Sequence, residues 1–447
     1  MQEDPVLTSF NQHYTYKKLL KYCISPIVMM IITSLYVVVD SLFVSNFTGK
    51  TAFAAANFII PYLLMFTSFG FMFGSGGSAL IAKTLGERKD RKANEIFTNV
   101  FLLSLGFGAA IATLGQILIR PVARSLGAEG QLLTDCLIYG RIYLLGVPSY
   151  IIQFEFENLY AAAGKPKLGL FATILSGLTN ILLDALFIIV FHWGLAGAAF
   201  ATIIAQWIGG TIPMVYFSRE NPSHLRFVKA PMDWPAMGRI CSNGISEVVN
   251  NVSISVVSMF YNVQLLKYAG TEGIAAYGVL MNMNFTFTAV FWGYNVGAAP
   301  LISFQYGAQN HQEIHNLFHK SMMLIFSASA AMFLLAETLS GPISSLYVGY
   351  DPGLMALTSR GFLIFSFNFL FAGIAIFSSS LFTALNNGLL SALISFLRTF
   401  VFQIGSILIL PLFFGIDGIW FSLVLAELLT MTVGLCLIAG NRKKYHY

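Results

Sequence analysis

Apolar stretches of about 20 residues or more, separated by short polar clusters, run the length of this chain, and each is long enough for a helix to cross roughly 30 Å of hydrocarbon. The short alternating segments of an outer-membrane barrel are absent, so α-helices are expected throughout. The pattern places spans near 17–45, 52–85, 94–119, 132–161, 168–191, 195–218, 237–267, 273–306, 314–338, 353–385, 389–413 and 416–439, twelve in all. The expected fold class is an all-α membrane protein. Because Met1 to Tyr16 is polar and the first apolar stretch continues as a full span, the first helix is expected to direct insertion without a cleavable leader.

The pattern is also written twice. A shift of 221 positions carries Gly49, Ala54, Ala55, Phe66, Thr67, Gly76, Leu80, Ile81, Gly86 and Phe97 onto Gly270, Ala275, Ala276, Phe287, Thr288, Gly297, Leu301, Ile302, Gly307 and Phe318 without a gap. It also carries Gly194, Gly197, Phe200, Ala205 and Thr211 onto Gly415, Gly418, Phe421, Ala426 and Thr432. A unit of six spans has been duplicated, which predicts two lobes, 1–218 and 237–447, around a central cavity. The polar linker 219–236, punctuated by Pro222, Pro231 and Pro235, divides them. Repeats of this kind mark transporters whose site lies between two rocking halves.

Composition agrees. Of the 447 residues 56% are apolar and 10% charged, and the mean hydropathy is +0.73, which excludes a soluble globular chain. Of 25 Lys and Arg, 18 fall on one side of this topology and only Lys50, Arg120, Arg124 and Lys267 fall opposite. By the positive-inside rule both termini and the linker are cytoplasmic, in the inner membrane. The net charge of +5 therefore reports topology and not a nucleic-acid partner. Six spans per unit is an even number, so the two lobes are expected to be parallel copies, and a monomer is expected to suffice.

Cys23, Cys136, Cys241 and Cys436 are scattered singly, with no redox or zinc spacing. Gly49-Lys50-Thr51 lacks the first glycine and the preceding strand of a phosphate loop, and His311, His315 and His319 read as a polar interfacial face. No catalytic set and no cofactor are expected.

Charge inside the bilayer is more informative, since a carboxylate at mid-membrane costs at least about 2.5 kcal/mol. Asp184 follows Asn180 by four residues, Gln206 follows Thr202 and Asp40 follows Tyr36, so each pair shares a helix face. Three helices of the first lobe thus offer oxygen-bearing side chains, suited to a shared proton or to Na+. Two buried acids that repel one another do not both stay ionised, which suits reversible proton binding. Under the shift Asp40, Asn180, Asp184 and Thr202 map to Tyr261, Val401, Gly405 and Leu423, so the second lobe is expected to lack a charged counterpart. Glu155 and Glu157 cannot both face the lobe interior, and Glu155 is the one expected there. Glu247, the image of Pro26, is expected at the central cavity, Glu337 at the outer interface, and Glu427 in a structural role.

At GKPK (164–167), NILLDALFI (180–188) and GLAGAAFATIIAQ (194–206) the chain resembles the multidrug and toxic compound extrusion (MATE) family, and VVVDSLFVSNF (37–47) and GIDGIWFSLVLAE (415–427) strengthen the likeness. The resemblance covers essentially the whole chain. It implies antiport, in which H+ or Na+ enters as an organic cation or amphipathic drug leaves. It further implies that Asp40, Asn180, Asp184 and Thr202 form the coupling site, as a protonated pair or as ligands of Na+. Tyr139 and Asn158 are then supporting hydrogen-bonding positions, and Pro26 a bend in the first helix. Some relatives use an acid in the tenth span, but FLIFSFNFLFAGIAIF (362–377) has none.

The drug chamber is expected to be lined by Met29, Met30, Tyr36, Phe154, Met281, Met283 and Phe287, with Glu155 and Glu247 supplying charge, because polarisable and aromatic surfaces suit flat cations. The alternative is a lipid-linked oligosaccharide flippase of related architecture. It favours a strongly cationic cavity, whereas only Arg141, Arg360 and Arg398 lie within spans.

Overall fold

The computed structural model describes residues 10, 12–48, 50–349, 351–445 and 447, and among these every regular element is a helix. The order is α1 (Tyr16–Phe47), α2 (Lys50–Gly86), α3 (Asp90–Ser125), α4 (Gly130–Ala162), α5 (Pro166–Asp184) with a π segment (Ala185–Val190), and α6 (Gly194–Ser218). There follow α7 (Trp234–Gly307), α8 (His311–Val348), α9 (Pro352–Ser366), α10 (Asn368–Ala384), α11 (Gly388–Phe396) with a second π segment (Leu397–Gln403), α12 (Ile404–Ile409) and α13 (Pro411–Tyr445). Helices satisfy their own backbone groups, which hydrocarbon demands of anything that spans it. Among the described residues nine helices are long and apolar enough to cross a membrane, and the bent pair α9 and α10 makes a tenth. Large apolar side chains face outward, Leu346 at 82%, Leu389 at 79% and Phe413 at 75% exposure, as a lipid solvent permits.

Two of the expected spans differ in detail. The stretch 353–385 bends by 47° between Ser366 and Asn368, so α9 and α10 form a broken span. The seventh and eighth spans run together as α7, interrupted only at Gly270 (φ 64°, ψ −152°), a backbone conformation that a residue without Cβ adopts freely. Other left-handed positions recur at the repeat interval: Arg88 and Gln309, Gly194 and Gly415.

The linker is not a loose tether. Asn94 on α3 donates to His224 O (3.0 Å) and accepts from Arg226 N (2.6 Å), Thr98 accepts from Val228 N (3.0 Å), and Asn99 donates to Pro231 O (3.0 Å). Phe227 stacks on Phe97 with centroids 5.1 Å apart. The linker is thereby laced along the start of α3. A second strap precedes α1: Phe10 O accepts from Gln305 Nε2 (2.7 Å), and Glu313 accepts from Tyr14 N (2.9 Å) and pairs with His13 Nδ1 (2.9 Å).

Between these straps α2 crosses α7 almost backbone to backbone. A Cβ at Gly86 would collide with the Phe304 carbonyl, and one at Gly307 with the Lys83 carbonyl. The two contacts exchange under the 221-residue shift, so the crossing has its own internal symmetry. Small residues that let backbones meet are a main source of adhesion between membrane helices. Gly307→Ala is expected to overpack this crossing and lower stability by roughly 1–3 kcal/mol. A melting temperature in detergent equal to that of the native chain would show that the crossing is looser than described.

Candidate cation-binding site

The first four helices of the site are held together by small polar and apolar groups. Ser149 on α4 donates to Gln206 O on α6 (2.6 Å), and Ser176 on α5 donates to Ala205 O (2.9 Å). Gly209 and Gly210 on α6 let Gln153 and Ser149 approach their backbone. Gly177 on α5 sits against the ring of Tyr36 on α1. This packing fixes the polar faces of α1, α4, α5 and α6 toward one another.

In the interior Asp40 lies within interaction range of both Asp184 and Asn180, and Tyr139 faces the two carboxyl groups. Asp184 is fully buried and Asn180 nearly so, at 2% exposure. Asp40 Oδ1, both carboxyl oxygens of Asp184 and the whole amide of Asn180 are buried without a hydrogen bond. Such groups normally find partners, so this is an unsatisfied set of polar groups rather than a closed hydrogen-bonded network. Thr202 is buried on α6, where its hydroxyl donates to Ala198 O (2.9 Å) and leaves its lone pairs outward. The helix widens into its π segment immediately after Asp184, a departure from α geometry frequent at functional sites. Among the described residues no group of three His, Cys, Asp or Glu is placed to hold a metal ion, so the donor set is one of carboxyl, amide and hydroxyl oxygens. It fits a shared proton or a hard monovalent cation and not a transition metal.

Asn158 is the exception. It is separated from Tyr139 along α4 by about 28 Å at the helical rise, and its amide lies against Gly74 of α2 and donates to Phe154 O (3.4 Å). The structure therefore does not bring it to the carboxylates. Glu155 and Glu157 are both buried, on opposite sides of α4, because α4 has neighbours all round. Glu155 turns toward Ser104 on α3, and Glu157 is the acid within electrostatic reach of Tyr36. Glu155 thus lies in the interior between α2, α3 and α4, and Glu157, expected elsewhere, is also enclosed.

The expected chamber residues fall into separate groups. Met29 is buried against Ala161 and Val296, with Met30 beside it. Phe154 stacks on Phe71 (4.3 Å between centroids) and continues a ladder through Tyr150 (5.8 Å) and Tyr143 (4.8 Å from Tyr150) to Tyr139 (6.1 Å). Met281, Met283 and Phe287 pack on the core of the second half, where Phe287 meets Phe369 at 5.1 Å. Tyr143 and Tyr150 escaped the sequence reading, although their spacing from Tyr139 and Phe154 puts them on one face. Pro26 lies inside α1 where Gly293 of α7 closes on its carbonyl.

The second half has no carboxylate at the images of the first half's site, and its charge lies at other positions. Arg398 pairs with Glu427 (2.7 Å), and Glu247 stands within electrostatic reach of Arg398. Glu427 is the repeat image of Gln206, and Tyr261, which faces Glu427, is the image of Asp40. The charge has moved to other helices rather than vanished.

A multi-pass helical bundle with paired acids buried among its spans is the build of an ion-coupled membrane carrier. The chain belongs to the MatE family, whose model matches residues 26–186 and again 248–409. It is 24% identical to the multidrug export protein MepA of Staphylococcus haemolyticus over 99% of this chain and 97% of that protein. It is 21% identical to MepA of Staphylococcus saprophyticus, over 98% and 96%. Among solved structures it resembles a multidrug resistance MATE transporter of the MOP superfamily in its outward-facing conformation (TM-score 0.92, 19% identity, 99% of this chain and 98% of that one). It also resembles a MATE protein in complex with MaL6 (TM-score 0.91, 20% identity, 99% and 100%).

Because Asp40 and Asp184 bury carboxyl oxygens without hydrogen bonds, Asp184→Asn, which removes one ionisable group, is expected to stabilise the fold, by roughly 0.5–2 kcal/mol. A thermal shift to lower temperature in detergent would mean that the carboxylate is doing structural bonding.

Proposed function

We propose that this chain is a secondary antiporter that exports organic cations or amphipathic drugs as H+ or Na+ moves inward, and that it is a carrier and not an enzyme. The observation that carries the reading is the cluster of unbonded, buried oxygens of Asp40, Asp184 and Asn180. Asp40, Asn180, Asp184 and Thr202 are proposed as the coupling site, with Tyr139 in support.

The architecture proposed is twelve spans in two parallel six-helix units, 1–218 and 237–447, joined by 219–236. Two spans beyond the apolar ten would be α4 and the 234–269 part of α7. The acids Glu155 and Glu157 in α4 are no obstacle, because neighbouring helices and not lipid cover them. The double match of one family model and the exchange-symmetric crossing of α2 and α7 support the duplication. Lys and Arg asymmetry supports cytoplasmic termini in an inner membrane. A monomer contains all of these parts.

Coupling follows from differential affinity. With both acids ionised their repulsion favours one arrangement of α1 against α5 and α6; neutralised by H+ or Na+ they favour another, and the drug binds the two arrangements unequally. For a neutral drug, one charge moving through about 100 mV supplies about 2.3 kcal/mol, which sustains a gradient of roughly fiftyfold, whereas one-for-one exchange with a monocation is electroneutral and draws on the ion's concentration gradient alone. Asp40→Asn and Asp184→Asn are each expected to lower efflux of ethidium from proteoliposomes by an order of magnitude or more, under whichever imposed gradient, H+ or Na+, drives the native chain. Undiminished efflux in both variants would move coupling elsewhere.

A further inference from the structure

Where α5 begins and α6 ends, the surface is hollowed into a cavity of about 460 Å³. Leu168 reaches it from the first turn of α5, Ile212, Val215 and Tyr216 from the last two turns of α6, and Arg219, Glu220 and Asn221 from the start of the linker. The linker wall is fixed by its own hydrogen bonds. Asn221 Nδ2 donates to Arg219 O (3.0 Å), Asn221 Oδ1 accepts from Ser223 N (3.0 Å), and Phe227 N donates to Phe217 O (3.0 Å). The hollow is therefore a standing feature of the fold and not a gap beneath a loose loop.

Its polar end carries one charge of each sign. Arg219 and Glu220 both line the cavity, both are exposed, and among the described residues neither makes an ion pair. Its other end leads onto the outer face of the bundle. Phe171, Leu175 and Leu178 follow Leu168 at helical spacing along α5, and Ile204, Trp207 and Val215 run likewise along α6. All six are exposed. Two neighbouring helices with apolar outer faces form a track suited to hydrocarbon chains lying against them.

A ligand that matches both ends has a headgroup with two opposite charges and an apolar tail. A phosphate meets the guanidinium of Arg219, and a primary ammonium donates to the carboxylate of Glu220. A trimethylated ammonium has no hydrogen to donate, and an anionic headgroup leaves Glu220 without a partner. We propose that this cavity binds a phospholipid whose headgroup carries a primary ammonium, of the phosphatidylethanolamine type, with its acyl chains along α5 and α6. Such a lipid staples together the ends of the two helices that carry Asn180, Asp184 and Thr202. The inference goes beyond the antiport reading and requires only that the chain sits in a bilayer.

The test is native mass spectrometry of the purified full chain in detergent, titrated with phosphatidylethanolamine, phosphatidylcholine or phosphatidylglycerol of identical acyl chains. The native chain is expected to retain one phosphatidylethanolamine roughly tenfold more tightly than either other lipid, the worth of one charge-assisted contact. Arg219→Gln is expected to weaken phosphatidylethanolamine and phosphatidylglycerol alike. Glu220→Gln is expected to abolish the preference for phosphatidylethanolamine without weakening phosphatidylglycerol. Both side chains are exposed, so neither change disturbs the packing of the fold. Arg239→Gln, at another exposed arginine near the same end of the bundle, is expected to change nothing. Equal retention of the three lipids, tighter phosphatidylglycerol than phosphatidylethanolamine on the native chain, or the same losses in Arg239→Gln would overturn the inference. Displacement of the lipid by an equal concentration of water-soluble phosphoethanolamine would also overturn it, since the occupant would then be a free phosphate compound. Binding is read without transport, so each of these outcomes leaves the antiport reading untouched.

Discussion

The cost of charge in hydrocarbon governs this molecule. Asp40 and Asp184 are brought to one place on different helices, with Asn180 beside them and hydrogen bonds left open, against a penalty that apolar packing would avoid. Everything around them serves to hold that arrangement. Serines and glycines on α4, α5 and α6 bring the helices close, and the widened turn after Asp184 breaks the regular ladder beside the acid.

The two halves resolve the same problem with different chemistry. In the first, like charges face one another and aromatic hydroxyls of α4 surround them. In the second, a tyrosine stands where Asp40 has its image, a glutamate stands where Gln206 has its image, and an arginine supplies compensation from within the bundle. One half has an excess of repulsion and the other an incomplete pairing. A few polar positions at which the two halves differ give each its own electrostatics.

The all-helical build, the interruption between 267 and 273 and the shared face of Asn180 and Asp184 were legible in the chain, because apolar length and helical spacing are properties of single helices. Contacts between helices leave no such trace. Glu155 and Glu157 illustrate this: the spacing shows that they oppose one another, but not that α4 is enclosed on both sides. Asn158 was drawn to the site by family likeness, and the rise of α4 carries it to the far end. Arg398 and Glu427 were each visible as charges within spans, but their pairing across two helices was not, since contacts between helices leave no mark in spacing. The bend at Phe367 and the lacing of the linker to α3 depend on neighbours, as does the ladder from Tyr139 to Phe154, although its spacing alone contained the signal.

The short segment ahead of α1 binds the opposite half of the molecule. Its backbone at Tyr14 is gripped by Asn316 (3.0 Å) and by Lys320 (2.5 Å), in addition to the Glu313 contacts, and Phe10 is wedged against Phe304. Any rearrangement that parts the halves at this end has to unfasten these bonds in one movement, or carry the peptide along with α8 and draw out the beginning of α1. Phe10, His13 and Tyr14 thus act as a hasp between the start of α1 and helices α7 and α8.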